Sequence, residues 1–305
     1  MRKKTHSISN ILLIVLFLVG LSVMLYPAVS DWWNSKTQGK VVADYQKKVT
    51  DLGEDLEKGL IEQAQRYNRQ LAQVFDPLKN YDKVEGYDSI LDITGTGVMG
   101  IINIPQIGVE LPVYHGTSEG VLNIAVGHLQ GTSLPVGGLG THAVISAHRG
   151  LPSAKLFSDL DKLIVGDEFT LTVLSTVYTY EVDNIFIVLP SDTSELAIDP
   201  DRELLTLMTC TPYGINTHRL LVRAHRTGTG AVDKGEAVSP KLKVIPDAVM
   251  VDSLSVVPFI AFIPAALLIG WWLFGGRKKK RLPKDPLTAF DDHKNNDKDK
   301  PDGAP

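Results

Sequence analysis

Two apolar stretches, each about long enough to cross a bilayer, stand near opposite ends of this 305-residue chain and constrain everything between them. Ile11 to Tyr26 follows Arg2, Lys3 and Lys4, and reaches the roughly 20 residues a spanning helix needs when Pro27 to Val29 are counted. Leu254 to Phe274 carries no charge, ends on Trp271 and Trp272, and runs into Arg277-Lys278-Lys279-Lys280-Arg281, the pattern of a stop-transfer helix. Pro258 and Pro264 argue against a soluble core helix there. Basic residues on the outer flanks of both segments predict cytoplasmic termini and an exported middle. Ala28-Val29-Ser30 has the small residues of a signal-peptidase site, so the first segment reads as an anchor or a cleaved leader; either keeps the middle outside.

The exported part, roughly 200 residues, is large enough for one core plus an appendage without disulfide or metal staples. A net charge of −4 without a basic stripe gives no footprint for nucleic acid, leaving protein, envelope and membrane as the expected partners. Val42, Tyr45, Val49, Leu52, Leu56, Leu60, Ala64, Tyr67 and Leu71 recur in steps of three and four, predicting a helical arm, bent near Gly53 and Gly59, that packs on the main domain. After Asp76-Pro77-Leu78 the texture changes. Short β-branched and apolar runs at 97–108, 111–114, 142–146, 169–173, 177–188, 204–208 and 220–224, set off by Gly, Pro, Asn and Asp, predict an all-β barrel or sandwich. One short helix is expected inside it, Ser153 to Lys162, burying Ala154, Leu156, Phe157, Leu160 and Leu163.

The expected organisation is a cytoplasmic N-terminus (1–10), a membrane segment or signal anchor (11–29), a helical arm with the stretch that follows it (30–96) and a β-domain (97–226). A polar linker (227–253), a transmembrane helix (254–274) and a basic cluster with a charged tail (275–305) follow.

Cys210 is the one cysteine, so it makes no internal disulfide, and an idle thiol outside the cytoplasm is exposed to oxidation. It is either a small buried hydrophobe or a nucleophile, and a nucleophile needs a base or a lowered pKa. Of the exported histidines His115, His128, His142, His148, His218 and His225, His148 is best placed: it follows the apolar run Ala143-Val144-Ile145 and precedes the turn Gly150-Leu151-Pro152. Arg219, nine positions after Cys210, would face it across a hairpin and offer a permanent cation to an oxyanion; by spacing alone it could equally be a surface arginine.

Thr206-Leu207-Met208-Thr209-Cys210 followed by Asn216-Thr217-His218-Arg219-Leu220-Leu221-Val222-Arg223 resembles the active-site hairpin of the sortases, cysteine transpeptidases of the Gram-positive cell surface. The resemblance extends through Leu111-Pro112-Val113-Tyr114-His115-Gly116-Thr117, Gly127-His128 and Ala147-His148-Arg149-Gly150-Leu151-Pro152, and covers about residues 40 to 226 in the manner of the class C, pilin-polymerising branch. It implies an eight-stranded barrel with a helical arm and two flanking transmembrane helices, Cys210 as nucleophile, His148 as proton donor and acceptor, and Arg219 as substrate-binding and oxyanion-stabilising cation. It also implies a lid at Asp76-Pro77-Leu78, in which Asp76 pairs with a groove cation and Leu78 stands where the family pattern has an aromatic residue. The implied substrates are pilins and surface proteins carrying a Leu-Pro-x-Thr-Gly-like sorting signal, with a pilin lysine amine as acceptor. No cofactor or metal is expected. The alternatives are a sortase that attaches proteins to peptidoglycan and a non-catalytic, membrane-tethered assembly factor.

Overall fold

The computed structural model describes residues 3–231. The expected transmembrane helix 254–274, the tail 275–305 and most of the linker 227–253 lie outside the described residues. The first element is a continuous helix, α1 (Lys3–Thr50), so the expected membrane segment passes into the arm without a break, with Pro27 inside it. Among the described residues it is the one helix long and apolar enough to cross a membrane, and side chains such as Leu16, Val23 and Val29 stand exposed along it.

The chain turns at Asp51-Leu52, and Gly53, in extended conformation, caps α2 (Glu54–Leu71), whose Glu54, Asp55 and Glu57 suit the positive end of the helix dipole. The stripe read from the sequence faces the barrel in two parts, apart from Leu56, which stands 59% exposed beside the turn between the helices. Val42, Tyr45 and Val49 of α1 pack against Val98 and Ile101, and Ala64, Tyr67 and Leu71 of α2 enter the main core. Among the polar groups that lock this docking are Tyr45 and Asn68. The Tyr45 hydroxyl donates to the Met99 carbonyl and accepts from the Leu174 amide. The Asn68 side-chain amide donates to the Leu134 carbonyl and accepts from the Leu134 amide.

Eight strands close a barrel: β1 (Val98–Ile104), β2 (Val109–His115), β3 (Val126–His128), β4 (Thr141–Ser146), β5 (Glu168–Val173), β6 (Thr176–Val188), β7 (Glu203–Thr211) and β8 (His218–Ala231). They are ordered β1-β2-β3-β4-β7-β8-β6-β5, with β5 returning to β1. Each expected run overlaps a strand, although the run 97–108 leaves β1 after Ile104 for a 3-10 turn, Pro105–Ile107. β3, at three residues, is too short to show a pattern in sequence. β8 continues through residues 227–231, where a linker was expected, because they pair with Thr176 to Thr179 of β6.

The expected helix Ser153 to Lys162 does not form. Its apolar residues are buried as anticipated, but the segment is a series of turns ending in a single 3-10 turn, Leu160–Lys162. Leu156 has φ 41°, a left-handed conformation no α-helix accommodates. The Lys155 amide donates to the Asp31 carboxylate and the Phe157 amide to the His148 carbonyl, so partners outside the segment take donors a helix would use within itself.

Candidate active site

Strand alternation decides which side chains can meet. Ala143, Ile145 and Ala147 on the β4 side, Leu205 and Leu207 of β7, and Leu220 and Val222 of β8 point into the main core. The intervening residues Val144, Met208 and Leu221 form a separate apolar cluster on the opposite face of the same three strands. Since side chains alternate with period two, His148, Cys210 and Arg219 fall on that second face. A register slip of one residue would send them into the core.

Pairing brings the three together. β7 and β8 are antiparallel, with Cys210 directly opposite Arg219. β4 runs parallel to β7 with Ser146 opposite Met208, and the pairing persists one residue further, since Ala147 donates its amide to Met208 and its carbonyl accepts from Thr209 Oγ1 at 2.8 Å. Extending that register two places sets His148 beside Cys210. The cysteine therefore stands on the middle strand, flanked by the histidine and the arginine. All three are half-buried, as side chains that meet both a scaffold and a substrate must be.

Among the described residues Arg219 pairs with no carboxylate; its guanidinium donates to the carbonyls of Asn216 and His218 in its own hairpin loop. Its charge is thus not neutralised by a carboxylate among the described residues, at the position opposite Cys210 on the neighbouring strand. Four of the other exported histidines are engaged elsewhere, while His225 has a buried Nδ1 without a hydrogen-bond partner among the described residues. His128 is fully buried, hydrogen-bonded to the Ser133 carbonyl and the Tyr87 hydroxyl, and burial lowers its pKa from 6.5 to about 4. Burial also lowers that of His142, whose ring nitrogens meet the Ala197 carbonyl and Thr206 Oγ1. His115 sits against the carbonyls of Gly97 and Ile90, and His218 against Thr217 Oγ1.

Arg149, which sequence reading left without a role, braces the site. Its side chain is only 8% exposed. It donates to Thr211 Oγ1, next to Cys210, at 3.2 Å, to the Ser158 carbonyl at 3.2 Å, and to the Asp161 carboxylate. Tyr213 of the hairpin loop lies under its guanidinium, 5.8 Å from carbon to ring centroid. The adjacency of Arg149 to His148 was the available signal, but its partners are far away in sequence.

A cleft of about 390 Å³ opens on the shared face, walled by Met208, Arg219, Leu221, Leu196, Leu78 and Tyr81. The segment expected to form a lid reaches it through Leu78. Leu78 joins the Val144, Leu196 and Leu221 cluster, and Pro77 and Leu78 press so closely on Gly131 (φ 91°) that a Cβ there would lie 2.7 Å from the Pro77 oxygen. The cleft's lining includes Arg219 but not Cys210. Asp76 does not pair with a groove cation as expected: its carboxylate bonds Lys79 at 2.7 Å, within the lid itself. Asp76 adopts φ 47° while its carbonyl accepts the amides of Lys79 and Asn80, and this tight turn keeps the carboxylate local. Of the nearby aromatic residues, Phe75 points to solvent, 88% exposed, while Tyr81, three residues after Leu78, lines the cleft. No group of His, Cys, Asp and Glu able to hold a metal ion occurs among the described residues.

The family model for the sortase domain matches residues 102–227. Among curated proteins, Sortase A of Streptococcus agalactiae serotype III (strain NEM316) is 34% identical over 136 residues, which is 44% of this chain and 54% of that protein. The chain thus spans about half the length of such curated relatives. The solved structures align further. The crystal structure of sortase C1 from Streptococcus agalactiae shares 48% identity at a TM-score of 0.57, covering 62% of this chain and 98% of that one. Sortase C of Clostridium perfringens, solved with the C-terminal cell wall sorting motif, shares 42% identity at a TM-score of 0.54, again over 62% and 98%. With a closed eight-stranded barrel, and with 48% identity running along nearly the whole of a class C structure, the chain belongs to the sortase family, in its class C branch.

Proposed function

We propose that the protein is a membrane-anchored cysteine transpeptidase that joins pilin subunits outside the cell. The observation that carries this reading is the pairing of Cys210 with Arg219 across β7 and β8, with β4 running beside β7 and ending two residues before His148. The Cys210 thiolate attacks the threonine carbonyl of a Leu-Pro-x-Thr-Gly-like sorting signal; a carbon–sulfur bond forms as the carbonyl π electrons move to oxygen. Arg219, with no carboxylate partner among the described residues, steadies that oxyanion. As the threonine–glycine C–N bond breaks, His148 protonates the departing glycine amine, leaving a thioacyl enzyme. A lysine amine of another pilin then attacks the thioester, His148 takes its proton, and the sulfur leaves as thiolate, giving an isopeptide bond.

Asp76, Pro77 and Leu78 act as a lid through apolar contact of Leu78 with the cleft and not through an ion pair to it. α1 serves as a membrane anchor, with the barrel outside and the N-terminus in the cytoplasm; the segment 254–274 is the second anchor. Intact-mass analysis of wild type and Cys210→Ala after exposure to candidate pilins tests the reading. Wild type gains one acyl group on its one cysteine and produces a ladder of covalent pilin oligomers, and Cys210→Ala does neither. Continued pilin joining by Cys210→Ala would refute the mechanism. An acyl adduct without a ladder, discharged instead by a peptidoglycan amine, would identify a cell-wall anchoring sortase.

A further inference from the structure

The loop that carries His148 is held from two directions. On the barrel side, the His148 carbonyl accepts the Phe157 amide at 3.2 Å, the Gly150 amide donates to Ser158 Oγ at 3.1 Å, and Arg149 ties the loop to Thr211. On the other side stands α1. Asp31 Oδ1 accepts the Lys155 amide at 2.7 Å, and Asn34 Nδ2 donates to the Ser153 carbonyl at 2.6 Å. These two residues are three apart and share one helical face. A narrow cleft of about 120 Å³, lined by Asp31, Asn34, Gln38, Ala154, Lys155 and Leu156, separates helix from loop. Direct apolar packing is therefore interrupted, and the two polar bonds bridge the gap. A third bond, from the Lys155 ammonium to the Ile107 carbonyl at 3.2 Å, ties the same stretch to the barrel.

We infer that Asp31 and Asn34 are positioning residues for His148, so that the anchor helix is part of the active-site scaffold and not only a tether. The inference rests on the proposed role of His148 as the proton donor. Both residues lie in the turn that also carries the exposed Trp32 and Trp33, directly after the apolar segment. The grip thus depends on α1 being a continuous helix at the point where it leaves the membrane. Cleavage at Ala28-Val29-Ser30 would leave Asp31 at a frayed helix end and weaken it.

The test uses the full chain in detergent, comparing wild type, the double variant Asp31→Ala/Asn34→Ala and the conservative variant Asp31→Asn, which keeps an oxygen for the Lys155 amide. Hydrogen exchange of the 150–158 amides should quicken in the double variant and stay near wild type in Asp31→Asn. With a sorting-signal peptide, kcat should fall about tenfold in the double variant with KM within twofold, because proton transfer and not binding loses its geometry. The pH profile of kcat/KM should shift in the double variant and return with Asp31→Asn. Unchanged exchange, or faster exchange with unchanged kcat and pH profile, overturns the inference. If wild type cleaves no sorting-signal peptide, the proposed function fails instead, and the exchange result still decides whether α1 holds the loop.

Discussion

His128 lies fully buried on β3, just before Leu129 and Gln130 of the cleft wall, and burial lowers its pKa from 6.5 to about 4. Its Nε2 donates to the Ser133 carbonyl and its Nδ1 lies 2.9 Å from the Tyr87 hydroxyl, which also reaches the His128 carbonyl at 3.0 Å; burial favours the neutral ring. As pH falls, the unfolded chain takes up this proton before the folded one does. The ring's contribution to stability is therefore complete above about pH 6.5 and is lost progressively toward pH 4. Integrating the difference between the two titrations gives a loss of about 2 kcal/mol between pH 7 and pH 5, a window in which most carboxylates remain ionised. His128→Gln removes this titration. The variant will be less stable than wild type at pH 7, since the replaced ring fills a packed site, but the quantity of interest is the change with pH. Urea unfolding followed by near-ultraviolet circular dichroism, which reports buried tyrosines such as Tyr87 and Tyr180, should show wild type losing about 2 kcal/mol more than the variant over that window. His142 is shifted in the same direction but is common to both proteins and cancels. Equal losses in the two proteins would refute the assignment of His128 as a buried neutral ring.

Arg219→Lys should lower the rate of thioacyl formation about a hundredfold, read by quenched mass spectrometry, because a point charge does not reproduce the planar fork at the oxyanion. Its melting temperature should stay close to wild type, since Arg219 bonds only loop carbonyls among the described residues. Arg149→Met should cost about 2 kcal/mol in urea unfolding, as a nearly buried cation with three side-chain hydrogen bonds is lost, and should lower kcat as well. Leu78→Ala should speed labelling of Cys210 by a bulky thiol reagent severalfold. Asp76→Ala should change it little, because the carboxylate pairs only with exposed Lys79. Equal labelling of wild type and Leu78→Ala would remove the lid from the account.

What could be read along the chain was whatever depends on near neighbours. The three-and-four spacing from Val42 to Leu71 announced an arm with one wet and one dry face, and the β-branched runs announced strands. Cys210 and Arg219 lie on consecutive strands of one hairpin, so a local reading could offer them as a pair, which the register bears out. His148 is different, because it reaches Cys210 only through the parallel β4–β7 ladder, and no local pattern specifies which distant strand becomes a neighbour. The segment 153–162 misled for the same reason. Its apolar residues are spaced as in a helix, but its amides are taken by Asp31 and His148, partners a local reading cannot see. Asp76 likewise carried the charge expected of a lid, and only the turn at φ 47° turned that charge back onto Lys79. The sequence by itself determined the chemical inventory: one thiol, a histidine after an apolar run, an arginine nine residues beyond the thiol and two membrane-length apolar segments. The tertiary structure alone decided how that inventory is arranged, because the closing of the barrel and the docking of α1 set long-range contacts: Arg149 with Thr211, Asn34 with Ser153, Leu78 with the cleft floor.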